Sequence, residues 1–148
     1  MKRHSSLAIL SREHHGALIL AQLLKRNAPL YKGLPADTAG KAEYAYRFYR
    51  DELVDHFAAE EQAVLNKVKG IAAPLDSLAD EIIADHLRLR ALFESIKNAK
   101  DLAAHLDKLG NALEKHIRKE ERELFPLIEA SCPESVLIEM EQSLLKMQ

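Results

Sequence analysis

The sequence holds a single cysteine, Cys132, and no tryptophan. One thiol excludes an internal disulfide and any Cys-rich metal site, and it suits a reducing compartment. Glycine and proline are scarce, five of each, and the aromatics are four Tyr and four Phe. Few chain breakers beside much Ala, Leu, Glu and Lys point to helices. The glycines fall in no G-x-G-x-x-G, G-x-x-x-x-G-K-[ST] or G-x-S-x-G pattern, which leaves Rossmann, P-loop and α/β-hydrolase chemistry without a basis. Charge of one sign is also missing: 21 basic against 23 acidic residues give a net charge of −2. No field draws nucleic acid or an anionic membrane surface. Long apolar runs are absent as well. Residues 7–10 are stopped by Ser11, Arg12 and Glu13, too soon for a signal-peptide core, and residues 17–21 fall far short of a membrane span. The expectation is a soluble cytoplasmic protein that binds neither nucleic acid nor membrane.

What is present is a chain of 148 residues, 47% apolar and 30% charged, the size of one domain spanning 1–148. Five helical patterns stand in it. The first, capped by Ser5 or Ser6, has apolar positions 7, 10, 17/18, 21 and 24 and ends near Asn27, ahead of Pro29. Residues 29–40 carry two prolines and two glycines before residue 41 and form the one long loop. The second runs through 42, 46, 49, 53, 57, 64 and 68 and stops at Gly70. Pro74 opens the third in its first turn, with 75, 78/79, 82, 89, 93 and 96 apolar. Asp101 caps the fourth, which runs 102, 106, 109, 113, 117, 124 and 127/128, and Pro126 should loosen its last turns. A short amphipathic segment (137, 140, 144, 147) follows. Short connections between helices two, three and four make neighbours antiparallel. The fold class is therefore all-α: an up-down-up-down four-helix bundle with a short C-terminal fifth helix.

Each long stripe is broken by His or Glu. His14 interrupts the first, His56 and Glu60 the second, His86 the third, His116 and Glu120 the fourth. Counted from the helix ends, the four histidines stand at one height, about 20 Å along each rod and within about half a turn of each other. Buried imidazoles and carboxylates without partners cost several kcal/mol per charge, and a metal supplies the partner. His and Glu at i, i+4 share a helix face. The two pairs, His56-x-x-x-Glu60 and His116-x-x-x-Glu120, lie on helices that run parallel, so their carboxylates can bridge two ions that the imidazoles terminate. Imidazole with carboxylate and no thiolate suits iron or manganese better than structural zinc. Four His and two Glu underfill two six-coordinate ions, which leaves open positions for water, an oxo or hydroxo group, or a diatomic gas. The motifs also repeat: Leu10-Ser-Arg-Glu-His14 parallels Ile82-Ile-Ala-Asp-His86, and the segment from His56 parallels that from His116.

Glu13-His14, His56-x-x-x-Glu60-Glu61, Asp85-His86 and His116-x-x-x-Glu120-Glu121, followed by Leu124-Phe125-Pro126-Leu127, resemble the hemerythrin-like (HHE cation-binding) family over nearly the whole chain. The resemblance implies a non-haem centre of two iron ions, oxo- or hydroxo-bridged, with His14, His56, Glu60, His86, His116 and Glu120 as its metal ligands. It implies binding or sensing of oxygen, nitric oxide or peroxide, iron storage, or service to iron–sulfur clusters. The oxygen carriers have H-x-x-x-H on the third helix, where this sequence has Arg90 in the second position; that removes one terminal ligand and with it the case for stable oxygen carriage. The cluster-repair members carry an added N-terminal Cys-containing domain, which does not stand in this sequence. The carriers also place the second carboxylate one residue later, which makes Glu121 a rival of Glu120.

Other residues have two readings each. His15 falls on a stripe with Ser11 and Gln22 and is a rim residue, or a rival of His14. Tyr49 lines the pocket or is plain core. Arg90 is a gate, a hydrogen-bond donor behind the ligands, or a surface arginine. His105 is structural, His4 lies in a fraying terminus, and Cys132 is an inert core thiol or a redox sensor. The leading functional expectation is a di-iron protein whose partner is a small diatomic ligand or peroxide, with no catalytic residue for a conventional organic substrate and at most weak peroxidase or oxidase activity. Iron storage or delivery, and a helical module with a structural metal, are the alternatives. A homodimer is compatible with the sequence.

Overall fold

A computed structural model describes residues 2–148, all but Met1. The first rod is α1 (Ser5–Leu24). The second is built from α2 (Thr38–Phe48), a π-helical turn (Tyr49–Leu53), α3 (Val54–Ala59) and another π turn (Glu60–Leu65). The third is α4 (Ala73–Glu94), trailed by a 3-10 turn (Ile96–Asn98). The fourth is α5 (Leu102–Lys119), a π turn (Glu120–Leu124) and α6 (Phe125–Ser131); α7 (Glu134–Lys146) closes the chain. Among the described residues no strand occurs.

The direction of the rods follows from how the core divides. One apolar block joins Leu7 and Leu10 of α1 to Val64 and Val68 at the end of rod two, Leu75 and Ile82 at the start of rod three, and Phe125 and Ile128 at the end of rod four. The other joins Ala17 and Leu24 to Ala45 and Leu53, Leu89 and Phe93, and Leu106 and Leu113. Starts meet ends at every step, so the rods alternate up, down, up, down. Leu137, Met140 and Leu144 seal α7 onto the first block. The rods approach closely where side chains are small: a Cβ at Gly110 would stand 2.7 Å from the Ala21 carbonyl oxygen of α1.

Several boundaries differ from the sequence reading. α1 stops at Leu24, three residues early, and its N-cap is His4, whose Nδ1 accepts from the Ser6 amide at 3.1 Å. Neither Ser5 nor Ser6 caps, and His4 is tied down rather than frayed, with Nε2 3.0 Å from Glu134. Rod two starts at Thr38, because Asp37 caps it by accepting from the Gly40 amide; Gly40 is thus helical. Ala45, not Tyr46, faces the core there. Met147 of the last segment is 45% exposed, so its apolar face ends at Leu144. Asp101 caps α5 as expected, accepting from Ala104. At Pro126, expected to loosen the last turns of rod four, a widened turn, Glu120–Leu124, stands directly ahead and helix resumes. The proline does not explain widening in general, since the π turn at Glu60–Leu65 contains none.

Candidate metal centre

A polar layer separates the two apolar blocks. His14, His56, Glu60, His86, His116 and Glu120 meet there, none more than 7% exposed. Their ligand atoms form two overlapping quartets, His14–His56–Glu60–Glu120 and Glu60–His86–His116–Glu120, each with its atoms within 4.8 Å of one another. Both carboxylates belong to both quartets. Glu60 and Glu120 each sit on the first residue of a π turn, a local widening that recurs at functional sites because it re-aims side chains.

Each imidazole is held from behind. His14 Nδ1 donates to Glu121 Oε2 at 2.6 Å, and His56 Nδ1 to Glu13 Oε1 at 2.7 Å. His86 Nδ1 donates to Glu61 Oε2 at 2.6 Å, and His116 Nδ1 to Asp85 Oδ2 at 3.1 Å. An ionised carboxylate only accepts, so each ring carries its proton on Nδ1 and directs Nε2 into the layer. The four contacts make a closed circuit. Rod one supplies the acid for the histidine of rod two, rod two for rod three, rod three for rod four, and rod four for rod one. Each acid is a sequence neighbour of its own rod's layer residue. In the sequence, Glu13, Glu61 and Asp85 stand out only inside the motifs they share with layer residues and carry no role of their own; adjacency to a layer residue was the available signal.

Cations and rings support three of these contacts. Arg90 lies 3.2 Å from Glu61 and over the Phe57 ring, which itself stacks on His86 at 4.4 Å. Arg3 lies 3.3 Å from Glu121 and over Phe125, which stacks on His14 at 5.7 Å. Lys119 reaches Asp85 at 2.9 Å. Arg90 is therefore the donor behind the His86 partner. Glu121 does not compete with Glu120; it turns outward to His14, Ser11 and Arg3. His15 is exposed. Tyr49 stacks on Phe93 at 4.8 Å within the second apolar block, which makes it core. His105 donates from Nε2 to the Leu92 carbonyl at 2.7 Å, a structural role. Cys132 is buried, and burial raises its thiol pKa, against a role as a redox sensor.

Titration is uneven across the layer. Burial lowers the His56 pKa, but Glu60 and Glu13 outweigh it and lift it to about 10. Burial likewise dominates at His116, where it wins over Asp85 and lowers the pKa. Burial raises Glu60, yet His56 and His86 hold it well below the usual carboxylate range. Asp85 is raised by burial and lowered by more from His116 and Lys119, to about 2. A depressed folded pKa gives stability that is present above the unfolded value near 4 and lost as pH falls toward 2. Asp85→Asn should thus cost about 2 kcal/mol in the metal-free protein at pH 7, with the gap to wild type narrowing at pH 3. Urea melts at the two pH values check this, and a gap that stays constant would exclude the ionisation of Asp85 as its cause.

Seven buried side-chain atoms in the layer have no hydrogen-bond partner: Nε2 of His14, His86 and His116, and both oxygens of Glu60 and Glu120. Orphans of this kind are rare in folded proteins and cost about 1–3 kcal/mol each. All seven point to the same place, and all are good metal donors, so the residues fit metal ions at both quartets. A cavity of about 550 Å³ lined by Ala42, Tyr46, Arg47 and Lys97 shares no residue with this layer.

A four-helix bundle with a buried His/carboxylate layer made for cations is the class this architecture defines. The chain belongs to the hemerythrin HHE cation-binding domain family, whose pattern matches residues 5–129. No curated protein and no solved structure matches the chain. No described helix is long and apolar enough to cross a membrane.

Proposed function

We propose that the protein holds two iron ions, one per quartet, and uses them to bind or sense a small ligand: oxygen, nitric oxide or peroxide. The observation that carries this reading is the pair of quartets sharing Glu60 and Glu120, with seven unpartnered buried donors. Two imidazoles and two shared carboxylates give each ion four donor residues, which suits iron and leaves coordination positions free. When bound, the ions supply redox-active Lewis acids with room for one small exogenous ligand. The chain does the rest. Glu13, Glu61, Asp85 and Glu121 fix the imidazole tautomers and hold the rings in place. Phe57 and Phe125 wall the layer, and the apolar blocks above and below keep bulk water out.

Arg90 occupies the position where the carriers have a further His, and it spends its charge on Glu61. The two quartets are thereby matched in donor type, two His and two Glu each. This favours sensing or transient binding over reversible oxygen carriage, in a reducing compartment where Cys132 stays a thiol. Iron storage or delivery is the second reading, favoured by one observation: the Glu13 side chain, which holds His56, is 44% exposed, so this corner can open.

Metal analysis and absorption spectra of protein prepared anaerobically, then exposed to air, peroxide or nitric oxide, test the proposal. About two irons per chain, with near-ultraviolet and visible bands that respond to one of these ligands, are expected. Iron lost to mild chelators without any spectral response would favour storage. A spectroscopically silent metal whose removal melts the bundle would reduce the centre to a structural one.

A further inference from the structure

The four corners of the layer are not equally guarded. Glu121, Glu61 and Asp85 each pair with a cation as well as with their histidine: Arg3, Arg90 and Lys119 respectively. Among the described residues, Glu13 pairs with His56 and with no lysine or arginine. His56 is also the most exposed of the four layer histidines, at 7%.

Two cavities, of about 370 and 140 Å³, open beside this pair, and Glu13, Glu52 and His56 line both. Asp51 and Asp55 add to the larger one, and no lysine or arginine lines it. Arg50 lies 3.3 Å from Asp51, outside the lining, which leaves Glu52 and Asp55 as the free charges. Across the bundle, a cavity of about 240 Å³ touches His116, and its mouth carries Arg88, Lys115 and Lys119 against Glu81 and Asp85. The two approaches thus have opposite sign. A low-dielectric cleft lined by one sign of charge concentrates counter-ions and speeds their arrival. Behind His56 the path ends at once: its Nε2 is 3.1 Å from Glu60 Oε1, and its ring centroid is 4.9 Å from that of His14. Glu60 Oε2 and His14 Nε2 are buried without hydrogen-bond partners.

We propose that divalent metal ions enter and leave the layer through the acidic cavity at the Glu13–His56 corner. Glu52 and Asp55 gather the cation there, and His56 is the ligand that swings aside. The inference rests on the metal-centre reading, and its test separates the two.

The test follows Co2+ uptake by the metal-free full-length chain in stopped flow, reading the ligand-field absorbance of the bound ion. At low ionic strength E52K/D55K should bind as many ions at saturation as wild type, but about tenfold more slowly. High salt should close that gap, because the charges act through solvent. E52Q/D55N, which keeps side-chain shape, should slow uptake in the same direction by about threefold. The opposite-face reversal R88E/K115E should change the rate by less than about twofold. Unchanged uptake in both Glu52/Asp55 variants, or a larger effect from R88E/K115E, would overturn the route while leaving the centre intact. Wild-type protein that takes up no Co2+ would overturn the centre and the route together.

Discussion

Glu120→Ala is expected to reduce metal content from two ions per chain to one or fewer, with a larger loss than removal of any single histidine. Glu120 lends an oxygen to both quartets, whereas each histidine serves one. If each quartet holds an ion, as proposed, truncating Glu120 weakens both positions at once. It also leaves His116 Nε2, 2.9 Å from Glu120, and His14 Nε2, 3.4 Å away, without a carboxylate on that side. His86→Ala should leave the His14–His56 position occupied, and His56→Ala should leave the other. Losing a direct ligand costs more affinity than losing the carboxylate behind it, for which 10–100-fold is typical. The measurement is metal per chain after equilibration with a defined excess of Fe2+ and desalting, for the three variants side by side. Two ions retained in Glu120→Ala would show that the ligand set is wrong.

Stripping the metal should destabilise the fold far more than an ordinary surface change. Ligand binding stabilises by the logarithm of concentration over Kd, about 4 kcal/mol per ion at a thousandfold excess. Two ions would then contribute about 8 kcal/mol, comparable to the entire stability of a typical domain. For a chain of this length, Tm should fall by roughly 15–30 °C. The physical cause lies in the layer: without cations, two buried carboxylates stand within 4.8 Å of one another and seven donor atoms lack partners. Circular dichroism melts with and without chelator, with metal content checked before and after, give the number. The apolar blocks on either side should keep the stripped chain helical at low temperature, so secondary structure should persist while Tm drops. A change of only a few degrees on verified loss of both ions would mean that the layer tolerates its orphaned atoms.

The layer was readable because each stripe is broken at one height: six polar side chains replace apolar ones at positions the helical period directs inward. The circuit behind it was not. Glu13, Glu61 and Asp85 each lie one residue, about 100° of helix, away from a layer residue. A stripe reading assigns such positions to solvent, and only the rotation of one rod against the next shows that they reach the neighbouring histidine. The π turns were hidden for a similar reason. One extra residue per turn leaves no compositional mark, and it shifts the face that later residues present. Helix ends were read within a few residues where a capping side chain marks them, as at Asp101. At His4 the cap was placed one or two residues late, on Ser5 or Ser6, because histidine is not a usual capping residue. Arg90 was legible as a departure from H-x-x-x-H, but its partner Glu61 lies on another rod, beyond the reach of local spacing.

The circuit of acids has a consequence for how the chain can assemble and change. Because every histidine is aimed by the rod before it in the circuit, neither helical hairpin contains a complete half of the centre. His14 of the first hairpin waits on Glu121 of the second, and His86 of the second on Glu61 of the first. A slip of one rod by a single turn, about 5.4 Å, would release its own histidine and disarm its neighbour's. The layer is therefore a keyed joint: its full set of aimed imidazoles requires all four rods in register.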